Sequence, residues 1–143
     1  MIRVFLDANV YFAGFLSPKG ASRLILEFIR RGKLTVVASR LVLREADRNL
    51  RRKTDPKTLK AFRRFLKETK IDVVPFVTAQ ILERYEAYIH PKDAPILAAA
   101  MEAEVDYLIT LDRKHFLTPN VLSSSKRIKI LTPGDFLRGQ FKV

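Results

Sequence analysis

The sequence predicts an α/β fold in which a central parallel sheet of about five strands is flanked by helices. Residues 1–6 form a mostly apolar run that stops at Asp7, as expected for a strand buried on both faces. Further along the chain, amphipathic segments alternate with short β-branched segments, and the first strand–helix–strand unit is typical of parallel pairing. With 143 residues, the chain has the length of one domain, which we expect to cover residues 1–143.

In the first half of the chain, turn residues and hydrophobic periodicity separate the elements. Residues 17–20 contain Pro and Gly close together and mark a turn, which leaves residues 10–16 without an assigned element. Beyond this turn, apolar residues recur at helical spacing in three segments. The predicted elements are a helix over 21–31 that Gly32 ends, a strand over 34–38, helices over 40–53 and 57–70, and an extended edge segment over 71–77.

The second half of the chain contains an alanine-rich helix and two short strands. Thr78 is a suitable N-cap for a helix that extends to about Tyr88. The alanine-rich helix tolerates Pro95 because proline fits into a first helical turn. The predicted elements are helices over 78–88 and 94–103, strands over 107–110 and 128–131, a turn-rich, mobile segment over 117–125, and a short helical turn after Pro133.

The composition indicates a globular protein that attracts polyanions. Lys and Arg outnumber Asp and Glu by 27 to 15, and the resulting net charge of +12 favours nucleic acid as a partner. No apolar run approaches the roughly 20 residues of a transmembrane helix. The N-terminus lacks the pattern of an export signal, and the absence of cysteine is compatible with the cytoplasmic location that we expect.

Four of the fifteen acidic residues lie at element boundaries or beside apolar helix faces. They are Asp7 and Asp112, which follow predicted strands, Asp93, which precedes the alanine-rich helix, and Glu45, which lies on the helix over 40–53. Parallel α/β sheets bind their ligands beyond the carboxyl ends of the strands, so we expect these four carboxylates to face one crevice. This crevice is the predicted active site.

Four ionised carboxylates in one crevice require compensation. Each close pair repels by about 4 kcal/mol at 4 Å when the effective dielectric constant is near 20. Either some of the acids are protonated or a cation lies among them. Carboxylate oxygens suit hard ions, so Mg²⁺ or Mn²⁺ is expected, and such ions activate water for phosphodiester hydrolysis. Together with the basic composition, this predicts a nuclease.

Each acid also has a structural explanation that requires no chemistry. Asp93 suits the N-cap of the helix that follows it, and Asp112 suits a turn or cap position. Glu45 fits a solvated helix position beside neighbouring arginines. The alternative is weakest for Asp7, because a charge after a buried strand needs a partner. Capping and ligation are compatible, so Asp93 can do both.

The four acids lie within short characteristic segments. These are Leu-Asp-Ala-Asn-Val at 6–10, Ser39 followed by Leu-Val-Leu-Arg-Glu at 41–45, Asp93 with Leu-Ala-Ala-Ala at 97–100, and Asp-Tyr-Leu-Ile-Thr-Leu-Asp at 106–112. No single segment is specific, but in this order they resemble the PIN-domain ribonucleases over essentially the whole chain. The resemblance is greatest to small stand-alone PIN proteins, many of which are toxins of toxin–antitoxin pairs.

The resemblance implies a PIN-like three-layer fold and a ribonuclease that uses Mg²⁺ or Mn²⁺. Members of this family cleave RNA with metal-activated water and leave a 5′ phosphate and a 3′ hydroxyl. A cognate antitoxin and a homodimer are further implications. Carried over to this chain, the catalytic and metal-ligating residues are Asp7, Glu45, Asp93 and Asp112, with Asn9 and Thr110 as supporting polar residues.

The residues after Asp112 depart from the family pattern. Some members carry a further acid there, whereas this chain has Arg-Lys-His at 113–115, so the number of metal ions stays open. For His115 we favour a surface position ahead of Phe116 over a role as general acid or phosphate contact. We expect His90 to be structural.

The helices over 40–53 and 57–70 carry many of the basic residues. We interpret them as an electrostatic clamp for RNA phosphates beside Glu45, the alternative being a solvated helical face. Phe62 and Phe65 belong to the buried stripe, so no aromatic stacking platform is expected. The candidate RNA-binding residues are Arg44, Arg48, Arg51, Arg52, Lys57, Lys60 and Arg64.

Two other functions stay open. A non-catalytic, basic RNA-binding module with the same fold would bind RNA without turnover. A haloacid-dehalogenase-like phosphohydrolase also begins with an Asp after the first strand, but it requires a second Asp two residues later, where this chain has Asn9. A receiver-like signalling domain is disfavoured because it requires an acidic pair at Asp7. The sequence therefore favours a metal-dependent ribonuclease.

Overall fold

The computed structural model describes residues 1–140, which are arranged around a parallel sheet of five strands. The strand order is β3-β2-β1-β4-β5, so the first strand lies at the centre. Phe5 of this strand pairs with Val37 on one side and with Leu108 on the other. The prediction of an α/β fold with a parallel sheet is confirmed. The strands are β1 (Arg3–Leu6), β2 (Thr35–Ser39), β3 (Ile71–Val74), β4 (Tyr107–Ile109) and β5 (Lys129–Leu131).

Helices connect the strands and flank the sheet. Within residues 1–140, no helix combines the length and the apolar character needed to span a membrane. The helices are α1 (Ala8–Leu16), α2 (Ala21–Arg30), α3 (Arg40–Lys53), α4 (Pro56–Glu68), α5 (Ala79–Glu86), α6 (Ala94–Glu102), α7 (Arg113–Phe116), α8 (Pro119–Ser124) and α9 (Pro133–Asp135), followed by a π-helical turn at Phe136–Gln140.

Polar side chains start the helices that follow the first two strands. The Asp7 carboxylate accepts a hydrogen bond from the N–H of Ala8 where α1 begins. The Ser39 hydroxyl accepts one from the N–H of Val42 where α3 begins. These caps satisfy amide groups that have no partner within the helix. The chain therefore turns from strand into helix directly at the carboxyl edge of the sheet.

Two segments differ from the sequence prediction. Residues 10–16, which had no assigned element, belong to α1, where Val10, Tyr11 and Phe15 are all buried. A helix that is apolar on nearly every side has no amphipathic stripe by which to identify it. The turn-rich assignment of residues 117–125 was wrong, because α8 lies there. Thr118 caps this helix, and proline at its first position loses no hydrogen bond.

The hairpin of α3 and α4 is anchored on α1 by aromatic side chains. Phe62 on α4 is fully buried and meets the rings of Tyr11 and Phe15 edge to face, with ring centroids 6.0 and 5.5 Å apart. Phe65 packs against Phe15 in the same way at 5.5 Å. Edge-to-face pairs of this kind contribute roughly 0.5–1.5 kcal/mol beyond the area that they bury. Because Asp7 caps α1, this packing positions α4, and with it the hairpin, relative to the end of β1.

We expect Gly14→Ala in α1 to lower the free energy of unfolding by about 1–3 kcal/mol. Alanine is normally the better helix former by about 1 kcal/mol, but a Cβ at Gly14 would overlap Leu26 and lie 3.3 Å from the carbonyl oxygen of Ser22. Denaturant titration measures the change. In a Leu26→Ala background the space is free and most of the loss should disappear; an equal loss in both backgrounds would contradict the steric explanation.

Candidate active site

The carboxyl ends of β1 and β4 form the base of the candidate site. Leu6 pairs with Ile109, and the N–H of Asp7 donates to the carbonyl oxygen of Ile109 at 3.0 Å. The next residue after β4 is Thr110, which is fully buried. Parallel pairing thus brings Asp7 beside residues 110–112, which are distant in the sequence.

Asp7 is held through both of its carboxylate oxygens. Oδ1 accepts a hydrogen bond from the N–H of Ala8 at 2.7 Å. Oδ2 accepts one from the hydroxyl of Thr110 at 2.8 Å and one from the side-chain amide of Asn9 at 3.3 Å. The residue is only 6% exposed. Its carboxylate therefore has a fixed orientation at the end of the central strand.

Asn9 and Thr110 link the ends of β1 and β4. The side-chain oxygen of Asn9 accepts a hydrogen bond from the N–H of Leu111 at 3.1 Å, and its amide nitrogen lies 3.4 Å from the Thr110 hydroxyl. Thr110 in turn accepts from the N–H of Asp112 at 3.0 Å. Both predicted supporting residues thus contact Asp7, and the same network leads on to Asp112.

Asp112 and His115 form a second polar group. Asp112 begins α7, where its Oδ1 accepts a hydrogen bond from the N–H of His115 at 3.0 Å. The His115 Nδ1 lies 2.8 Å from the other oxygen, Oδ2, of the same carboxylate. Burial raises the pKa of Asp112, but the side-chain and backbone hydrogen bonds from His115 outweigh it, so this pKa lies below its ordinary value. The cap interpretation of Asp112 is therefore confirmed, and its second oxygen contacts the imidazole.

Asp93 occupies the cap position of α6 but does not cap it. Its side chain makes no capping hydrogen bond, and no hydrogen bond to it is found within residues 1–140, although the residue is only 9% exposed. The N-cap interpretation is thus correct for the position and wrong for the side chain. Its Oδ2 lies 3.9 Å from His115 Nδ1, beyond hydrogen-bonding distance. The Asp93 carboxylate is therefore largely buried and free to bind a ligand.

Glu45 lies half-buried on α3 and contributes charge to the site. In the described part of the chain it forms no ion pair, so the structural alternative, in which Glu45 pairs with a neighbouring arginine, finds no support. Burial raises the pKa of Asp7 to about 6; hydrogen bonds from Thr110 and Ala8 oppose this, while the charges of Glu45 and Asp93 add to it. Three of the four predicted acids are thus electrostatically coupled, and Asp112 joins them through Asp93 and His115.

The donor set fits a divalent cation. Asp93, Asp112 and His115 each offer one ligand atom, and these atoms lie within 4.8 Å of one another. Ligands that bind one ion at about 2.1 Å lie about 3 Å apart at a right angle and about 4.2 Å apart when opposite, so this spread needs only a small adjustment. Asp93 also couples to Asp7. It is the acid that connects the two halves of the site.

The basic candidates lie on exposed surfaces of α3 and α4. Arg40, which is not among the predicted RNA-binding residues, lines a shallow groove on α3 together with Arg44, Arg48 and Arg51. Arg40 lies four residues before Arg44, and this helical spacing could have identified it from the sequence as a residue on the same face. Asp47 in the same groove binds Arg63 at 2.9 Å and Arg51 at 3.5 Å, which partly neutralises Arg51. The remaining candidates, all exposed, are Arg52, Lys57, Lys60 and Arg64.

His115 is exposed, as expected, but its ring is not free. Asp112 caps α7, and residues three positions apart on a helix lie on the same face, so the His115 ring faces Asp112. The spacing of three residues between Asp112 and His115 could have indicated this contact from the sequence. The ring of His90 lies 6.2 Å away, measured between centroids. Its Nδ1 accepts a hydrogen bond from the N–H of Lys92 at 3.0 Å, in agreement with the structural role expected for it.

Comparisons with known proteins point to one family. A family model described as a PIN domain matches residues 3–114. Similar solved structures include VapBC2 of Rickettsia felis bound to a promoter DNA fragment (TM-score 0.63, 13% identity, covering 92% of this chain and 98% of that chain). They also include FitAcB of Neisseria gonorrhoeae (TM-score 0.60, 17% identity, covering 92% of this chain and 98% of that chain). A third is Mycobacterium tuberculosis VapC20, a sarcin-ricin loop cleaving toxin (TM-score 0.56, 18% identity, covering 78% of this chain and 91% of that chain). A comparison with curated protein sequences gives no match.

We expect Asp7 to make the metal-free protein less stable as the pH rises from about 4 to 6. Its pKa is about 6 in the fold against an ordinary 3.8, so in this range the folded state holds more protons, and deprotonation opposes folding. The difference corresponds to on the order of 2–3 kcal/mol. Denaturation in EDTA at several pH values compares wild type with Asp7→Asn. Carboxylates outside the site contribute equally in both proteins, so parallel pH curves would contradict this effect.

Proposed function

The chain belongs to the PIN-domain family, and we propose that it is a divalent-metal-dependent ribonuclease that hydrolyses RNA phosphodiester bonds. The observation that carries this proposal is the buried carboxylate of Asp7, whose pKa is raised to about 6 by burial, with added contributions from Glu45 and Asp93. Natural folds tolerate such an unfavourable buried charge mainly at functional sites. A divalent cation relieves it and at the same time provides the chemistry that the family uses.

In the proposed reaction, Asp7, Glu45, Asp93 and Asp112 hold Mg²⁺ or Mn²⁺. When bound, the ion supplies activated water and positive charge at the scissile phosphate. Asn9 and Thr110 keep the Asp7 carboxylate in place by hydrogen bonds, so little reorganisation is needed when substrate arrives. Cleavage on the 3′-oxygen side of phosphorus leaves a 5′ phosphate and a 3′ hydroxyl.

RNA is the proposed substrate because the basic groove lies on α3, the helix that also carries Glu45. Arg44 directly precedes Glu45 in the sequence. Arg40 and Arg48 lie one helical turn to either side of Arg44 in the groove. Phosphate groups held there would place the adjoining phosphodiester near Glu45. The net charge of +12 adds long-range attraction for a polyanion.

A cognate antitoxin is the proposed protein partner, and a homodimer is the proposed assembly. Both proposals rest on likeness to small PIN proteins. The matched Mycobacterium tuberculosis protein is a toxin, and the Rickettsia felis VapBC2 structure contains promoter DNA. Light scattering of the purified chain measures the assembly directly.

We expect purified protein to cleave labelled single-stranded RNA with Mg²⁺ or Mn²⁺ and to stop in EDTA. Asp7→Asn should reduce the cleavage rate by about 100-fold or more, because several kcal/mol of transition-state stabilisation depend on the ion. Asp72→Asn is the matched control. This aspartate lies on the edge strand β3, its side chain is 54% exposed, and it forms an ion pair with Arg3.

Each contrary result of this assay has a distinct meaning. Cleavage that persists in EDTA or in Asp7→Asn would exclude the metal mechanism. Tight RNA binding without cleavage under any metal would favour the non-catalytic module. Release of phosphate from small phosphoesters would instead favour the phosphohydrolase.

The arginine groove makes a second prediction, which concerns binding alone. In EDTA, Arg44→Ala with Arg48→Ala should weaken RNA binding and reduce the slope of log K against log salt by about 1.4, because each phosphate contact on a single strand contributes about 0.7. Arg31→Ala with Lys33→Ala removes the same charge from exposed positions just before β2 and should leave the slope nearly unchanged. Equal changes for both pairs would mean that only net charge matters.

A further inference from the structure

The placement of His115 adds a nitrogen donor to an otherwise acidic site. Its Nδ1 lies 2.8 Å from Asp112 Oδ2 and 3.9 Å from Asp93 Oδ2. The side chain is 43% exposed, so an ion can reach this position from solvent. Within residues 1–140, this trio meets the geometric requirement for a metal-binding group.

The Asp93 carboxylate is available as a second oxygen ligand. The residue is only 9% exposed, and its side chain accepts no hydrogen bond from the described residues. The nearest cationic group found for it is the imidazole of His115 at 3.9 Å, which is charged only when protonated. A carboxylate buried to this degree is stable when it coordinates a metal.

We propose that His115 is a ligand of the divalent ion through Nδ1, with Asp93 and Asp112 as oxygen ligands. The site would then prefer a first-row transition ion such as Mn²⁺ to Mg²⁺. This inference rests on the proposed metal-dependent function and specifies the metal class for it. Mg²⁺ favours oxygen ligands and keeps several of its waters, whereas transition ions accept imidazole nitrogen readily.

Ligation requires a simple exchange at one atom. In the structure, His115 Nδ1 and Asp112 Oδ2 are joined by a hydrogen bond. With an ion bound, the neutral His115 ring would carry its proton on Nε2 and offer the Nδ1 lone pair as ligand, and any proton on Nδ1 would pass to solvent. The Asp112 Oδ1 would continue to cap α7. The ion would therefore replace the hydrogen bond between His115 and Asp112 Oδ2 without unfolding the helix.

Pulsed electron paramagnetic resonance of the Mn²⁺-loaded protein tests this ligation directly. Wild type should show the modulation produced by a directly bound ¹⁴N nucleus. The modulation should disappear in His115→Gln and persist in His90→Gln, a matched change of the ring 6.2 Å away. In His115→Asp, where oxygen replaces nitrogen, the preference for Mn²⁺ over Mg²⁺ in competition binding should fall about 10-fold or more.

The outcomes separate this inference from the proposed function. If Mn²⁺ binds and RNA is cleaved but no ¹⁴N coupling is seen, His115 is not a ligand and the ribonuclease proposal stands. Loss of the coupling in His90→Gln instead of His115→Gln would also overturn the inference. Failure of wild type to bind any divalent ion would overturn both proposals.

Discussion

The pairing of β1 with β4 is the constraint on which the site depends. Leu6 lies opposite Ile109, and this register continues by one hydrogen bond from the backbone of Asp7. It places a buried threonine hydroxyl, that of Thr110, 2.8 Å from the Asp7 carboxylate. A shift of one residue would turn every side chain on the strand to the opposite face of the sheet and separate this pair. The hydrophobic strands therefore determine the position of the polar chemistry.

The fold accepts an unfavourable charge at this position. Burial raises the pKa of Asp7 even though three donors reach its oxygens, so the hydrogen bonds only partly offset desolvation. A structural cap would be better served by Ser or Asn, which cap a helix without a buried charge. Asp7 does cap α1, but capping alone does not explain a carboxylate there. A bound cation would offset the unfavourable free energy of burying the Asp7 carboxylate.

The sequence predicted those features that leave a local pattern. The strands, the helices α2 to α6 and the convergence of acids at one edge follow from hydrophobic periodicity and from the rule for parallel sheets. Helix α1 was missed because its uniformly apolar residues show no periodicity, and α8 because Pro119 and its serines resemble a turn. Whether the Asp93 side chain caps α6 could not be predicted from the sequence, because a capping and a non-capping carboxylate occupy the same position.

The acids of the site differ in how firmly the fold holds them. Asp7 is fixed by the central strand and by donors from two chain segments, whereas Asp112 and His115 lie on α7, a helix of four residues. Binding of the proposed metal ion would therefore require adjustment mainly at α7. Each carboxylate oxygen has two lone pairs, so Asp112 can keep its cap bond and still ligate. The rigid half would set the position of the ion, while the short helix supplies the ligands that complete its coordination.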